Sequence, residues 1–497
     1  MKYDYDLIVI GGGAAGLVAA TGAAVLGAKT ALIEKNKLGG DCTWYGCIPS
    51  KSLLKSAQVF SIAKRFKEFG ISAGTQNTYD PSLVMSHVRE VVKKISTHHP
   101  AEVFEKKGIK VFFGTPKFLD PNTIELKGQK ISAKRFIIAS GSHPVVPPIE
   151  GLSRIGGIPS VTPSADSARG GEAGKDISYL TNENVFDLEA LPKSLAVLGG
   201  GPIGMELSLA FARLGVEVSI IEMFDRLMVR EDKEIADVLI DEFKTEGIKI
   251  YTGKKAIRFS KDSGMVSITL EDKDKKQSAV KAENVLVAVG RAANVEGLDL
   301  ERAGVKYSNK GVEVDAALRT SAKNIYACGD VAGPYQFSHM AEYQAVIAVG
   351  NALFPFKRKV DYSAVPWCTF TDPEVARVGL TEDEARAKFK DIKVYRSPYS
   401  GNDRAVTDIE EKGLAKVITD KKGYILGAHI VGANAGEIIH EYVLAKASKL
   451  KIGNLSSAIH IYPTLAQVVK RSADQYYIDI MNAAWLKGLF KMMLKFL

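Results

Sequence analysis

The sequence predicts an α/β chain in which a doubly wound, Rossmann-like domain occurs twice. Three observations carry this. An apolar strand, a glycine-rich turn and an alanine-rich helix succeed one another in residues 5 to 34. The same succession returns in residues 195 to 222. The acid closing each stands at the same distance from its first glycine, Gly11 to Glu34 and Gly199 to Glu222. A chain of 497 residues, 46% hydrophobic and 25% charged, has room for about three ordinary globular domains.

The first copy reads Ile8-Val9-Ile10, then Gly11-Gly12-Gly13-Ala14-Ala15-Gly16, a helix to about Leu26, and Thr30-Ala31-Leu32-Ile33-Glu34. Gly11 allows the tight turn, Gly13 lets the backbone approach a pyrophosphate, and Gly16 lets helix and strand pack closely, with the phosphates on the helix N-terminus. Glu34 accepts hydrogen bonds from an adenosine ribose. A lone G-x-G-x-x-G is a weak signal, but a strand before it, a helix after it and an acid at the right distance make it specific. In the second copy Leu195-Ala196-Val197-Leu198 leads into Gly199-Gly200-Gly201-Pro202-Ile203-Gly204, a helix through Leu214, and the strand ending at Glu222. Two separate dinucleotide sites follow.

Between the copies lies Gly39-Gly40-Asp41-Cys42-Thr43-Trp44-Tyr45-Gly46-Cys47-Ile48-Pro49-Ser50-Lys51, with two of the chain's four cysteines. They read as a redox-active pair. A chain of this size has no need of a structural disulfide, and reducing compartments remove them. Zinc takes closer ligand pairs with a second pair elsewhere, whereas Cys328 and Cys368 have no Cys or His nearby in sequence. Those two are assigned to the core as small residues, and no metal site is predicted. Two dinucleotides flanking a cysteine pair suggest a relay from nicotinamide to flavin to disulfide. Because the cysteines follow the first copy, FAD is assigned there and the nicotinamide to the second. The carboxylate of Glu222 accepts from a free ribose 2′-hydroxyl and repels a 2′-phosphate, favouring NADH over NADPH, although Arg226 and Arg230 follow closely.

From residue 5 to about 475 these motifs resemble the pyridine nucleotide-disulfide oxidoreductases of the glutathione reductase, dihydrolipoamide dehydrogenase and mercuric reductase type. The low-molecular-weight thioredoxin reductases are less similar, since their cysteines form a C-x-x-C inside the nicotinamide domain. Phe136-Ile137-Ile138-Ala139-Ser140-Gly141-Ser142 resembles the crossover out of the flavin domain, Val287-Ala288-Val289-Gly290-Arg291 the return, and Ile325-Tyr326-Ala327-Cys328-Gly329-Asp330 the second flavin motif, whose aspartate binds the ribityl chain. The resemblance implies an FAD-binding domain in 1–150, an NAD(P)-binding domain in 181–284, a return segment in 285–355, and an α+β interface domain for homodimers in 356–475; residues 151–180, rich in Ser, Gly, Ala and Pro, read from composition as an inserted surface loop that the family pattern does not require. An amphipathic tail, 476–497, follows. It further implies that Cys47 forms the charge-transfer thiolate beside the flavin, that Cys42 meets the substrate, and that Lys51 pairs with Glu206 near the hydride-accepting nitrogen. Gly40, Asp41, Gly114, Ser140, Gly141, Asp330 and Ser338 join Gly11, Gly13, Gly16, Glu34 and Lys51 as implied flavin contacts; Gly199, Gly201, Gly204, Glu222 and Gly290 serve the nicotinamide side.

One departure bears on the acceptor. Disulfide reductases of the family present His-Pro-Thr-x-x-Glu from the partner subunit. Here the stretch is His460-Ile461-Tyr462-Pro463-Thr464-Leu465-Ala466-Gln467, with Tyr462 in the base's place and Gln467 in its partner's. A phenol with a pKa near 10 is a poor base at neutral pH. His460 is a candidate substitute, because positions 460 and 462 share a face in an extended segment; it serves equally as a packing residue. A tyrosine here, like Asp41 and Trp44, is closer to mercuric reductase-like proteins. Those also use a C-terminal cysteine pair, and no cysteine follows Cys368.

The acceptor is thus expected to be a metal ion, a quinone or a small disulfide. The alternatives are a dihydrolipoamide dehydrogenase with an altered acid/base pair and a membrane- or complex-associated flavoprotein with mainly a binding role. In residues 483 to 497, Lys487, Lys491 and Lys495 form one stripe while Leu486, Leu489, Phe490, Met493 and Leu497 line the other side. Such a helix suits an anionic membrane surface or docking on its own dimer. The N-terminus runs straight into a strand, leaving no room for a signal peptide, and no apolar run spans a membrane. The expected location is cytoplasmic, with peripheral contact on the inner face of the membrane through the tail. The net charge of +9 is dispersed rather than clustered, so no nucleic-acid partner is expected.

Overall fold

The computed structural model describes residues 2 to 72, 79 to 152 and 179 to 495. The predicted inserted loop falls largely in 153 to 178, outside the described residues. The chain forms two compact units, one of Met1–Gly199, Leu214–Val216 and Lys255–Asp361, the other of Gly200–Arg213, Glu217–Lys254 and Tyr362–Leu497.

The first unit is built on β1 (Tyr5–Ile10), α1 (Ala14–Val25) and β2 (Thr30–Glu34). Leu7, Ile8, Val9 and Ile10 are all buried, the continuous apolar run of a central parallel strand covered on both faces. Leu7 and Val9 belong to one core cluster, Ile8 and Ile10 to the other, so alternate side chains supply opposite layers. The α1 helix buries Ala15, Gly16, Ala19, Ala20 and Ala23, small residues that bring it close to the sheet. Next come α2 (Gly40–Trp44) and α3 (Cys47–Lys64), then β3 (Ile109–Phe113), β4 (Lys117–Asp120), β5 (Thr123–Leu126) and β6 (Gln129–Ile138). The strand order is β3-β2-β1-β6-β5-β4, with Ile325–Ala327 also parallel to β6.

The chain leaves this sheet through β7 (Ser142–Pro144), which pairs antiparallel with Arg291–Ala293 on the way back. Exit and return are therefore fastened to each other. Within the same unit Asn284–Val287 lies parallel to both Ser194–Leu198 and Tyr179–Leu180.

The second unit holds the helices Pro202–Arg213 and Lys233–Thr245 and the parallel pair Glu217–Ile221 and Lys249–Tyr251. It also holds an antiparallel sheet of Pro366–Thr369, Glu374–Gly379, Ile425–Gly432, Leu414–Asp420 and Ile392–Pro398, in that order. Tyr395, Tyr399, Ile430 and Tyr442 lie in its core. The final helix, Ala484–Met493, buries none of its residues. Among the described residues no helix is long and apolar enough to cross a membrane.

Candidate active site

Both glycine turns are fastened by their own acid. Gly12 N donates to Glu34 Oε2 at 2.7 Å and Asn36 N to Oε1 at 2.8 Å. In the second unit Gly200 N donates to Glu222 Oε2 at 2.8 Å and Phe224 N to Oε1 at 2.9 Å. A carboxylate has about four lone-pair sites, so each can brace the turn and still accept from a ribose. Arg226, a candidate to neutralise Glu222, instead donates to the carbonyls of Met228, Val229 and Glu231.

The first turn fits a pyrophosphate. A Cβ on Gly16 would lie 1.7 Å from Gly11 O and one on Gly11 2.2 Å from Ala139 O, so only glycine allows this close packing. A Cβ on Gly40 would meet Gly13 Cα at 2.5 Å, so two bare backbones face each other at the start of α1. No side chain caps that helix at Gly13, leaving its first N–H groups to an anion. Gly114, with φ 144°, donates its N–H to Glu34 O at 2.8 Å.

Gly39 and Gly40 turn through left-handed backbone into α2, which carries Cys42; Cys47 opens α3. The two cysteines are not joined by a disulfide here, and both are half-buried. Their side chains hydrogen-bond, and Cys47 Sγ lies 3.7 Å from Ser338 Oγ. Hydrogen bonding with Cys47, then burial and the negative charge on Cys47, hold the Cys42 thiol far above the usual range. Trp44 is braced by Nε1 on Leu38 O at 2.9 Å and by Lys37 Nζ 4.5 Å above its ring. Lys51 Nζ reaches Ser50 Oγ at 3.3 Å.

Ser140 and Asn294 exchange hydrogen bonds, Ser140 Oγ to Asn294 O at 2.7 Å and Asn294 Nδ2 to Ser140 O at 2.8 Å. Gly141 and Gly290 both take positive φ, at 75° and 136°. Asp330 is largely buried, which pushes its carboxyl above the usual range; it accepts from Ser142 Oγ at 2.5 Å. Sequence reasoning missed Asn182 and Asn294, unremarkable polar residues outside the motifs, and gave no role to Ser142, although it ends the crossover motif.

In the second unit Glu206 is buried and accepts from Phe370 N at 2.9 Å. The expectation that His460 and Tyr462 face the same way is overturned. The His460 side chain is only 7% exposed, whereas Tyr462 is 66% exposed. The segment is irregular rather than a strand, so alternate residues do not share a face. His460 Nε2 lies 2.8 Å from Glu441 Oε2 and Nδ1 3.0 Å from Ala458 O. Both ring nitrogens thus lie beside oxygens of this chain. Tyr462 OH donates to Asp403 Oδ2 at 2.9 Å, and that hydrogen bond and charge raise the phenol above its usual pKa. Gln467 Nε2 donates to the carbonyls of His460 and Ile461, both at 3.3 Å, bracing the loop. Cys328 is fully buried, its thiol pushed up to about 12, while Cys368 is half-buried at the start of the antiparallel sheet rather than a full core residue.

Residues 5–345 match the family described as pyridine nucleotide-disulphide oxidoreductase, and residues 365–473 match its dimerisation domain. The chain belongs to the pyridine nucleotide-disulphide oxidoreductases. It is 33% identical to a mercuric reductase of Bacillus cereus over 98% of this chain and 74% of that protein. It is 34% identical to a dihydrolipoyl dehydrogenase of Rhizobium etli over 97% of this chain and all of the relative. Among solved structures, a Cu(II) complex of the HOCl-induced flavoprotein disulfide reductase RclA from Escherichia coli superposes with a TM-score of 0.81 at 27% identity, covering 96% of this chain and 100% of that one. The protein is therefore an FAD-dependent NAD(P)H oxidoreductase of the disulfide-reductase type, and its dimerisation domain supports a homodimer.

Proposed function

We propose that this oxidoreductase passes two electrons from NADH through FAD to the Cys42–Cys47 pair and on to an acceptor that needs no histidine base, a metal ion, a quinone or a small disulfide. Bound FAD would supply the two-electron relay between nicotinamide and sulfur. The Gly11–Gly13–Gly16 turn and Glu34 hold its adenosine half, Asp330 meets its ribityl chain, and Gly40, Asp41, Gly114, Ser140, Gly141 and Ser338 line the remainder. Lys51 stabilises negative charge beside the ring, with Glu206 as its partner. Gly199, Gly201, Gly204, Glu222 and Gly290 hold the nicotinamide dinucleotide. The occupation of Arg226 by backbone carbonyls supports NADH, since it leaves Glu222 to repel a 2′-phosphate. Cys47 holds the thiolate and Cys42 meets the acceptor.

The observation that carries the acceptor reading is Tyr462 held protonated by Asp403 where the base is expected. A soft metal ion binds thiolates without a proton donor at each step. The second reading, a dihydrolipoamide dehydrogenase with an altered acid/base pair, is favoured by the likeness to dihydrolipoyl dehydrogenases over nearly the whole chain. NADH oxidation by the FAD-loaded protein, measured against lipoamide, glutathione disulfide, quinones, Hg(II) and Cu(II), separates them. The first reading expects lipoamide to be the poor acceptor; lipoamide as the best would sink it. A flavoprotein with mainly a binding role would turn over none of them.

For the tail, the reading is peripheral contact with an anionic membrane, which for a cytoplasmic protein is the inner face. Leu489, Phe490 and Met493 are 41%, 50% and 52% exposed, the three lysines stripe the opposite side, and the matched dimerisation domain ends at residue 473. Flotation with vesicles containing anionic lipid is expected to require residues 483 to 497. Equal recovery of the truncated chain points to docking on the dimer instead.

A further inference from the structure

Asp41, the residue before Cys42, is tied to segments distant in sequence. Its Oδ1 forms an ion pair with Arg291 Nη2 at 3.2 Å and accepts from Asn182 Nδ2 at 3.1 Å. The same Asn182 Nδ2 donates to Tyr45 O at 3.2 Å, just past the other end of α2. Arg291, its side chain 11% exposed, also donates Nη1 to Asn182 Oδ1 at 3.2 Å, Nε to Ser142 Oγ at 2.8 Å and Nη2 to Ser142 O at 3.0 Å. Ser142 in turn bonds Asp330. The network therefore runs from the cysteine helix to the strand that returns beside β7 and on to the buried aspartate.

Helix α2 is one turn long, which has little stability of its own. It is bounded by Gly39 and Gly40 on one side and Gly46 on the other, residues that leave the backbone free to move. Fastening from outside must supply what the helix lacks, and Asn182 grips it at both ends.

We propose that Asp41, Asn182 and Arg291 are positioning residues for the thiol pair, holding Cys42 within bonding reach of Cys47 and so setting how readily the pair closes to a disulfide. This rests on the reading of Cys42 and Cys47 as the redox pair. Against glutathione disulfide, one S–S bond forms between Cys42 and Cys47 as each thiol loses a proton. The two electrons and two protons convert the oxidant to two glutathione thiols. Loosening α2 lowers the effective concentration of one sulfur at the other and shifts this equilibrium toward the dithiol.

The test equilibrates the purified FAD-loaded full chain in glutathione buffers, traps thiols by alkylation, and weighs the tryptic peptide of residues 38 to 51, which carries both cysteines. Asp41→Ala and Arg291→Met are each expected to favour the dithiol about tenfold, or about 30 mV for a two-electron couple. The double variant should shift no further than either single one, since both break the same clamp. Asp41→Asn keeps an oxygen that accepts from Asn182 but gives up the charge that pairs with Arg291, and should shift the pair less than Asp41→Ala does. Unchanged single variants, an additive double variant, or Asn behaving like Ala would overturn the clamp. A parent chain that forms no disulfide in any buffer overturns the redox-pair reading itself, and the clamp with it.

Discussion

Tyr462 and His460 lie two positions apart and do different work. The phenol is committed to Asp403 on the surface, and the imidazole is turned inward between Glu441 and a carbonyl. His460→Ala should leave turnover with every acceptor within about twofold of the parent, while removing the hydrogen-bond partner of the partly exposed Glu441 costs about 0.5–1.5 kcal/mol. Stopped-flow turnover and denaturant unfolding of the same preparation check the two halves of that statement. A general base and its orienting carboxylate can be restored by Tyr462→His with Gln467→Glu. Since a positioned base contributes about 10²–10⁴-fold, lipoamide reduction should rise at least tenfold in the double variant. No gain would mean that the missing base is not what limits disulfide chemistry here.

At the scale of the elements, the glycines of the two turns are required for different reasons. Gly16 packs against Gly11 with no room for a methyl group, whereas a Cβ on Gly201 meets nothing within 4 Å. Gly16→Ala must therefore push helix and strand apart, and it is expected to lose bound FAD together with stability. Gly201→Ala should leave the melting temperature unchanged yet raise the KM for NADH about tenfold, because only a bound dinucleotide makes that space crowded. A Gly201→Ala enzyme with an unaltered KM would falsify the assignment of the second turn. Both turns were legible in the sequence, since strand, glycines, helix and acid follow one another within a short stretch. The grip of Asn182 and Arg291 on α2 was not, because its members come from three distant segments and share no local pattern.

Across the second unit, a buried ionic cluster makes stability depend on pH. Lys416, 3% exposed, lies 2.8 Å from Asp232, 3.0 Å from Glu234 and 2.8 Å from Glu382. Burial raises Asp232 and Glu382, but hydrogen bonds from Lys416 and nearby positive charge outweigh it and leave both below the usual carboxylate range. Glu234 is lowered first by its hydrogen bond from Arg396. Depressed carboxylates stabilise fully above about pH 4.5 and lose that contribution as pH falls through their folded values. His429, fully buried, is held down to about 4 by burial and by Arg377, so the fold requires it neutral. Its contribution is complete above the unfolded value near 6.5 and is lost as pH falls toward 4, up to about 3 kcal/mol. Unfolding midpoints measured between pH 7 and 4 should fall steadily, and His429→Gln should flatten the upper part of that slope. Lys416→Met leaves three carboxylates facing one another and is expected to cost about 3–5 kcal/mol at neutral pH.

The sequence by itself determined what depends on neighbours along the chain: the doubled strand-turn-helix, the acids that close it, the cysteine pair and the lysine stripe of the tail. Each is a spacing rule, and spacing survives without coordinates. The tertiary structure decided which way side chains point in irregular segments, as at His460 and Tyr462, and which distant polar groups meet, as at Asp41, Asn182 and Arg291. Both follow from packing, since a buried donor must find an acceptor wherever the fold brings one within reach, and no periodicity in the sequence announces where that is.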